Sequence, residues 1–87
     1  MAEALKGIIN IGKDTEAKLK QAGINSFDEL KSLGSKQAFL RLQAYDAGAC
    51  LSLLYGLEGA IEGVKWSSLS PAKKQDLKEF ITAVKKR

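Results

Sequence analysis

The sequence predicts an all-α fold, a compact bundle of about five short helices containing a helix-hairpin-helix-like (SAM-like) element. Three observations carry that reading. Proline appears once in 87 residues, alternation of β-branched residues is nearly absent, and helix-start and helix-stop residues recur at short intervals. Charged residues make up 28% and hydrophobic ones 45%, the balance of a chain that buries a core, and the length suits one domain over residues 1–87.

A short helix is expected over residues 2–9, leading into Asn10-Ile11-Gly12-Lys13, which reads as a tight glycine hairpin. Gly12 has no Cβ and lets the chain turn without a clash. The next helix is expected over residues 13–22, with Thr15, Leu19 and Ala22 on one face at i, i+4, i+7. Gly23 is its left-handed stop, and Ile24 packs back on the helix end. Ser26-Phe27-Asp28-Glu29 has the capping-box form, in which the serine accepts an amide hydrogen bond and Glu29 reaches back; it starts a helix over residues 27–33 that Gly34 ends. Ser35 is expected to cap a longer helix through about residue 45, buried along Leu42 and Tyr45 with Phe39 or Ala38, and widened by Leu40. Asp46-Ala47-Gly48 breaks the pattern.

Residues 49–63 form the densest apolar segment, with Cys50, Leu51, Leu53, Leu54, Leu57 and Ile61 covering more than half of a helix. Gly56, Gly59 and Gly63 interrupt it, each at about 1 kcal/mol of helix propensity against alanine. Close approach of another backbone explains that cost, and with Ala60 these glycines form a small-residue face. Packing inside a soluble core is the expected use of that face, and homodimerisation through it is the other. Trp66 follows, then a turn at Ser67-Ser68-Leu69, and Ser70-Pro71 opens the last helix with its serine cap and first-position proline. Leu77, Phe80, Ile81 and Val84 are its buried stripe. Tyr45, Tyr55 and Trp66 are of the types that stack on bases, but their spacing and apolar neighbours place them in the core or at its edge.

Composition narrows the chemistry. Cys50 is the only cysteine and there is no histidine, which excludes an internal disulfide and removes the commonest metal ligand and general base. No cofactor, metal or small-molecule substrate is expected, and Cys50 reads as an ordinary packed thiol. Glu58 and Glu62, one helical turn apart, have the spacing of paired carboxylates, yet a solvated helix face accounts for both, so no enzyme is expected. No apolar run approaches the roughly 20 residues of a membrane helix, and the N-terminus lacks a signal pattern, so the expectation is a cytoplasmic protein without a membrane partner. Fourteen Lys and Arg against ten Asp and Glu give a net charge of +4 and a pI near 9.3, a mild bias toward anionic partners. Lys85-Lys86-Arg87 concentrates that excess where it also suits a helix dipole.

Taken in order, Asn10-Ile11-Gly12-Lys13, Leu19 with Ala22-Gly23-Ile24, Asp28-Glu29-Leu30 with Leu33-Gly34, and Ala38-Phe39-Leu40-Arg41 are joined by a longer run. That run is Leu51-Ser52-Leu53-Leu54-Tyr55-Gly56-Leu57-Glu58-Gly59-Ala60-Ile61-Glu62-Gly63, followed by Trp66 and Leu69. Over most of the chain this series resembles the C-terminal domain family of TfoX (Sxy), the bacterial competence regulators. The resemblance implies a small helical domain related to helix-hairpin-helix modules, without catalysis, in a family that regulates DNA-uptake genes alongside a transcription activator. Full-length family members carry a separate N-terminal domain, so 87 residues imply a stand-alone C-terminal-domain protein. The family often has proline where Lys13 stands. Asn10 occupies the place where many DNA-binding hairpins have a first glycine, and asparagine tolerates the left-handed region.

Two uses of the hairpin stand side by side. In one, the amides near Ile11, Gly12 and Lys13 hold a phosphate while Lys13 and Lys18 add charge from the following helix, giving weak, sequence-independent DNA contact. In the other, Asp14 and Glu16 at the same helix start repel phosphate and the hairpin is only a corner. The functional expectation is accordingly a non-catalytic binding or regulatory module with DNA or a protein as partner. The alternative is a purely structural or protein-interaction domain, including a homodimer, that binds no nucleic acid.

Overall fold

A computed structural model describes residues 8–45 and 49–85. Five helices follow one another there: α1 (Lys13–Gln21), α2 (Phe27–Leu33), α3 (Ser35–Gln43), α4 (Leu51–Glu62) and α5 (Pro71–Lys85), with a single 3₁₀ turn at Trp66–Ser68 between the last two. No strand occurs among the described residues, and the all-α expectation is met. The helix expected over residues 2–9 falls outside them except for Ile8 and Ile9, which lead into a turn. The described part of the hairpin element is therefore that turn and α1. Asp46-Ala47-Gly48 and the side chains of Lys85-Lys86-Arg87 also lie outside the described residues.

The short connections are set by local hydrogen bonding. At the end of α1, Ile24 N–H donates to Leu19 C=O at 2.8 Å and Gly23 N–H to Lys20 C=O at 3.0 Å, with Gly23 at φ 88°. These are the paired bonds of a Schellman stop, and they drive Ile24 into the core, where it is fully buried. At the start of α2, Ser26 Oγ accepts from Glu29 N–H at 3.2 Å, while Glu29 Oε1 accepts from the Asn25 amide at 2.7 Å, one residue earlier than a standard capping box. Ser70 Oγ accepts from Lys73 N–H at 3.1 Å ahead of Pro71.

α4 is the central element, packed against α3 on one side and α5 on another, while α2 leans on α3 and α4, and α1 on α3. Leu19, Ile24, Leu30, Phe39, Leu42, Leu54, Leu57 and Leu77 are fully buried between them. Each such side chain stabilises the fold by about 1.5–3 kcal/mol relative to exposure. Ile81 and Leu69 extend this core, and Phe80 lies partly buried against it.

Four expectations need correction. Tyr45 is 56% exposed, because α3 ends at Gln43 and the helical geometry that would turn Tyr45 inward stops there; Ala38, Phe39 and Leu42 form the buried stripe. Ser35 does not cap α3: Gly34, at φ 86°, is the cap residue, and Ser35 is the first helical residue with its hydroxyl directed elsewhere. Cys50 is exposed rather than packed, since it precedes α4 at φ −141° and escapes the helical apolar face. Trp66 is 50% exposed, because the left-handed Gly63 at φ 76° ends α4 and the chain leaves its periodicity.

Candidate functional site

The site begins at the turn Ile8-Ile9-Asn10-Ile11, closed by Ile11 N–H donating to Ile8 C=O at 3.1 Å. Asn10, in the third position, has φ 69°, as a type II turn requires there. This corrects the role read for Gly12. Gly12 sits at φ −90° and ψ −179°, an extended conformation open to any residue, and a Cβ added to it would meet nothing within 4 Å. Asn10 makes the corner, and Gly12 is the N-cap of α1.

Asn10 also fastens the corner to α4 and the segment beyond it. Its Nδ2 donates to Val64 C=O at 2.9 Å, and its Oδ1 accepts from Trp66 N–H at 3.3 Å. The residue lies directly over two of the central-helix glycines. A Cβ on Gly56 would stand 3.7 Å from Asn10 Cβ and C=O, whereas one on Gly59 would stand 2.5 Å from Asn10 Nδ2, 2.8 Å from Val64 O and 3.2 Å from Trp66 Cα. Gly59 and Ala60 are buried. Gly63 is set apart from this face, because its Cβ would meet nothing within 4 Å and its role is the left-handed stop.

The residues assigned to phosphate contact have mixed surroundings. The Ile11 amide is engaged in closing the turn. Gly12 and Lys13 are exposed at the start of α1. Lys18 Nζ lies 3.7 Å from Asp14 and Lys20 Nζ 3.3 Å from Glu16, both i,i+4 pairs of the surface kind, worth about 0–1 kcal/mol each.

Beside the Asn10 fastening stands an aromatic pair expected in the core or at its edge, of which Tyr55 packs partly buried against the core and Trp66 lies half exposed. Tyr55 and Trp66 stack with ring centroids 6.2 Å apart and planes 11° from parallel. Lys74 Nζ lies 6.0 Å from the Trp66 centroid and donates to Ser67 C=O at 3.2 Å. Ile9, at the corner of the turn, is 38% exposed. The one sequence signal for an outward Trp66 was its position after the Gly63 stop.

Around Gly34 and Ser35, a cleft of about 380 Å³ is lined by Lys36, Glu58, Lys73, Asp76 and Leu77 among others. Glu58 is not on a solvated face, as its spacing with Glu62 suggested; its side chain is only 13% exposed. The Ser35 hydroxyl donates to Glu58 Oε1 at 2.6 Å, and Lys73 Nζ lies 3.8 Å from Oε2. Burial, the largest single influence, pushes the Glu58 carboxyl upward, but hydrogen bonds from Glu62 and Ser35 and the Lys73 charge outweigh it and hold the pKa below the ordinary value. The hydrogen bond to Glu58, followed by burial and the Glu58 charge, raises that of Glu62. Across the cleft, Lys36 pairs with Asp76 at 2.9 Å. Among the described residues no group of three or more His, Cys, Asp and Glu is placed to hold a metal ion, and no helix is long and apolar enough to cross a membrane.

A turn fastened by one asparagine over the glycines of a central helix, in an all-helical unit, defines a small all-α domain with a pinned N-terminal corner. The chain belongs to the TfoX C-terminal domain family, whose model matches residues 1–81. It is 36% identical over 78 residues to Protein Sxy of Escherichia coli (strain K12), covering 90% of this chain and 37% of that protein. The chain thus spans little more than a third of the curated relative's length. Among solved structures, it is similar to an uncharacterized Listeria monocytogenes protein in a triclinic crystal form, with a TM-score of 0.92 and 46% identity over 95% of this chain and 94% of that one. A Listeria monocytogenes protein of unknown function in a tetragonal form gives a TM-score of 0.89 and 48% identity over 92% and 98% of the respective chains.

Proposed function

We propose that the chain is a non-catalytic, cytoplasmic binding module in competence-related gene regulation, making weak, sequence-independent contact with DNA at the Asn10 turn and the start of α1. The observation that carries this reading is the fastening of the turn. Two hydrogen bonds from the Asn10 side chain, to Val64 and from Trp66, hold a corner whose next residues, Gly12 and Lys13, are exposed. A backbone corner fixed in advance loses little conformational entropy when it meets a phosphate, and the net charge of +4 favours the encounter. A homodimer through Gly56 and Gly59 would have to displace Asn10 from the same face, and no observation favours it.

Titration of a short DNA duplex at low salt, followed through backbone amide shifts, tests the proposal. Gly12 and Lys13 are expected to move, a Lys13→Glu, Lys18→Glu variant to lose the response, and affinity to fall with salt by a log–log slope of about −0.9 per phosphate neutralised. A folded protein in which Gly12 and Lys13 stay still sinks it.

A further inference from the structure

We infer that Trp66 is a stacking platform for an unpaired base, so that the anionic partner of this face is a single-stranded nucleic acid. The inference rests on the nucleic-acid reading above and specifies the form of the ligand. Trp66 is 50% exposed, which leaves apolar ring surface that a partner could bury. Three separate contacts position this residue. Its backbone N–H donates to Asn10 Oδ1 at 3.3 Å, which fixes the chain at Trp66 to the turn. Its ring stacks nearly parallel on Tyr55, with planes 11° apart. Lys74 Nζ lies 6.0 Å from the ring centroid and is anchored to Ser67 C=O at 3.2 Å. A ring so restrained loses little rotamer freedom on binding.

The charge around it selects the occupant. Lys65 precedes Trp66 in the chain and is exposed, and the Lys74 ammonium sits near the ring. A half-exposed flat ring, with the Lys74 ammonium over it and Lys65 next to it in the chain, is complementary to a ligand that alternates flat rings with phosphates. Double helices conceal base faces inside the stack, so only an unpaired base reaches Trp66, and every base has a π-face to offer. Phosphates on either side of that base then fall to Lys65 and Lys74. DNA and RNA single strands share this chemistry.

Trp66 is the only tryptophan, so its fluorescence reports the platform directly. The full chain is titrated at low salt with dT12, with rU12 and with a 12-base-pair duplex, and tryptophan emission is read. Both single strands are expected to quench Trp66, with affinity falling by a log–log slope of about −0.7 per neutralised phosphate, while the duplex leaves emission unchanged. Quenching by dT12 alone or by rU12 alone also supports the platform and identifies the sugar. By anisotropy of labelled dT12, Trp66→Leu is expected to bind about tenfold or more weakly and Trp66→Phe to retain most affinity. Lys65→Gln, Lys74→Gln, which leaves the ring in place, is expected to flatten the salt dependence.

The idea is overturned if no single strand quenches Trp66 in a protein with native circular dichroism, or if the duplex quenches as strongly as either single strand. Duplex-induced movement of Gly12 and Lys13 amides, with Trp66 emission silent to both single strands, refutes the platform and keeps the duplex reading. Quenching by single strands with still amides in the duplex titration does the reverse.

Discussion

Asn10 and Gly59 lie 49 positions apart in the chain and occupy one space: a Cβ on Gly59 would stand 2.5 Å from Asn10 Nδ2. The missing side chain of one residue is the seat of the other. Behind it, Val64 O at 2.8 Å and Trp66 Cα at 3.2 Å are backbone atoms that cannot swing away.

Gly59→Ala and Gly56→Ala are therefore expected to act with opposite sign. Alanine gains about 1 kcal/mol of helix propensity at either site. At Gly56 its new contacts are 3.7 Å, ordinary van der Waals distances, so the gain survives and stability rises. At Gly59 the overpacking, typically about 1–3 kcal/mol, outweighs it. Urea unfolding of the two variants side by side measures both, and equal shifts of the same sign would refute the geometry.

Asn10→Gly retains the left-handed corner and loses two side-chain hydrogen bonds, at about 0.5–1.5 kcal/mol each. Asn10→Ala loses the same bonds and adds about 1–2 kcal/mol for an L-residue at φ 69°. The alanine variant is expected to have the lower Tm of the two. The reverse order would show that Asn10 acts through its side chain alone.

Gly12→Ser is expected to stabilise the protein by about 0.5–1 kcal/mol, since the extended backbone and open space admit a serine whose hydroxyl can cap α1. Thermal unfolding reads the effect. A loss of stability would mean that this position requires glycine.

Acid affects the Ser35–Glu58–Glu62 group in two directions. Glu58 has a folded pKa below its ordinary value, so its contribution is present above the unfolded pKa and lost as pH falls through the folded one. Ser35→Ala removes a hydrogen bond to that charged group, and its cost of about 1–3 kcal/mol is expected to be largest near neutral pH and to shrink on acidification. Glu62 has a raised folded pKa, so its contribution is present at low pH and lost as pH rises through that value. Glu62→Gln is thus expected to stabilise the fold at pH 7 and not below the Glu62 pKa. Denaturant unfolding at about pH 4 and 7 separates the two variants.

The parts of this fold legible in the sequence are those decided within a few residues. Gly23 with Ile24, Ser26 with Glu29 and Ser70 with Pro71 each act across one helical turn, so the bounds of α2 and the stop of α1 follow from local chemistry. Ser35 shows where that stops working. Its residue type and position suit a cap, but its hydroxyl is taken by Glu58, 23 residues away, and no local pattern reveals that partner. The glycines of α4 announced a close approach without naming Asn10 as what approaches. Tyr45 and Trp66 are more exposed than expected for a common reason: both lie past the ends of α3 and α4, where helical periodicity no longer sets which side chains are buried.

The Asn10–Val64 bond spans 54 residues, whereas α3 and α4 are brought together across a short connection. Loop-closure entropy rises with the length of chain enclosed, so the α3–α4 pair can assemble before this contact repays its closure. The turn is then expected to dock last in folding and to release first in partial unfolding, with the helical core intact. Native-state hydrogen exchange would see it as lower protection at Trp66 N–H, which bonds to Asn10, than at Leu54 N–H inside α4. The surface proposed to meet nucleic acid would be a detachable latch on a body that stays folded without it.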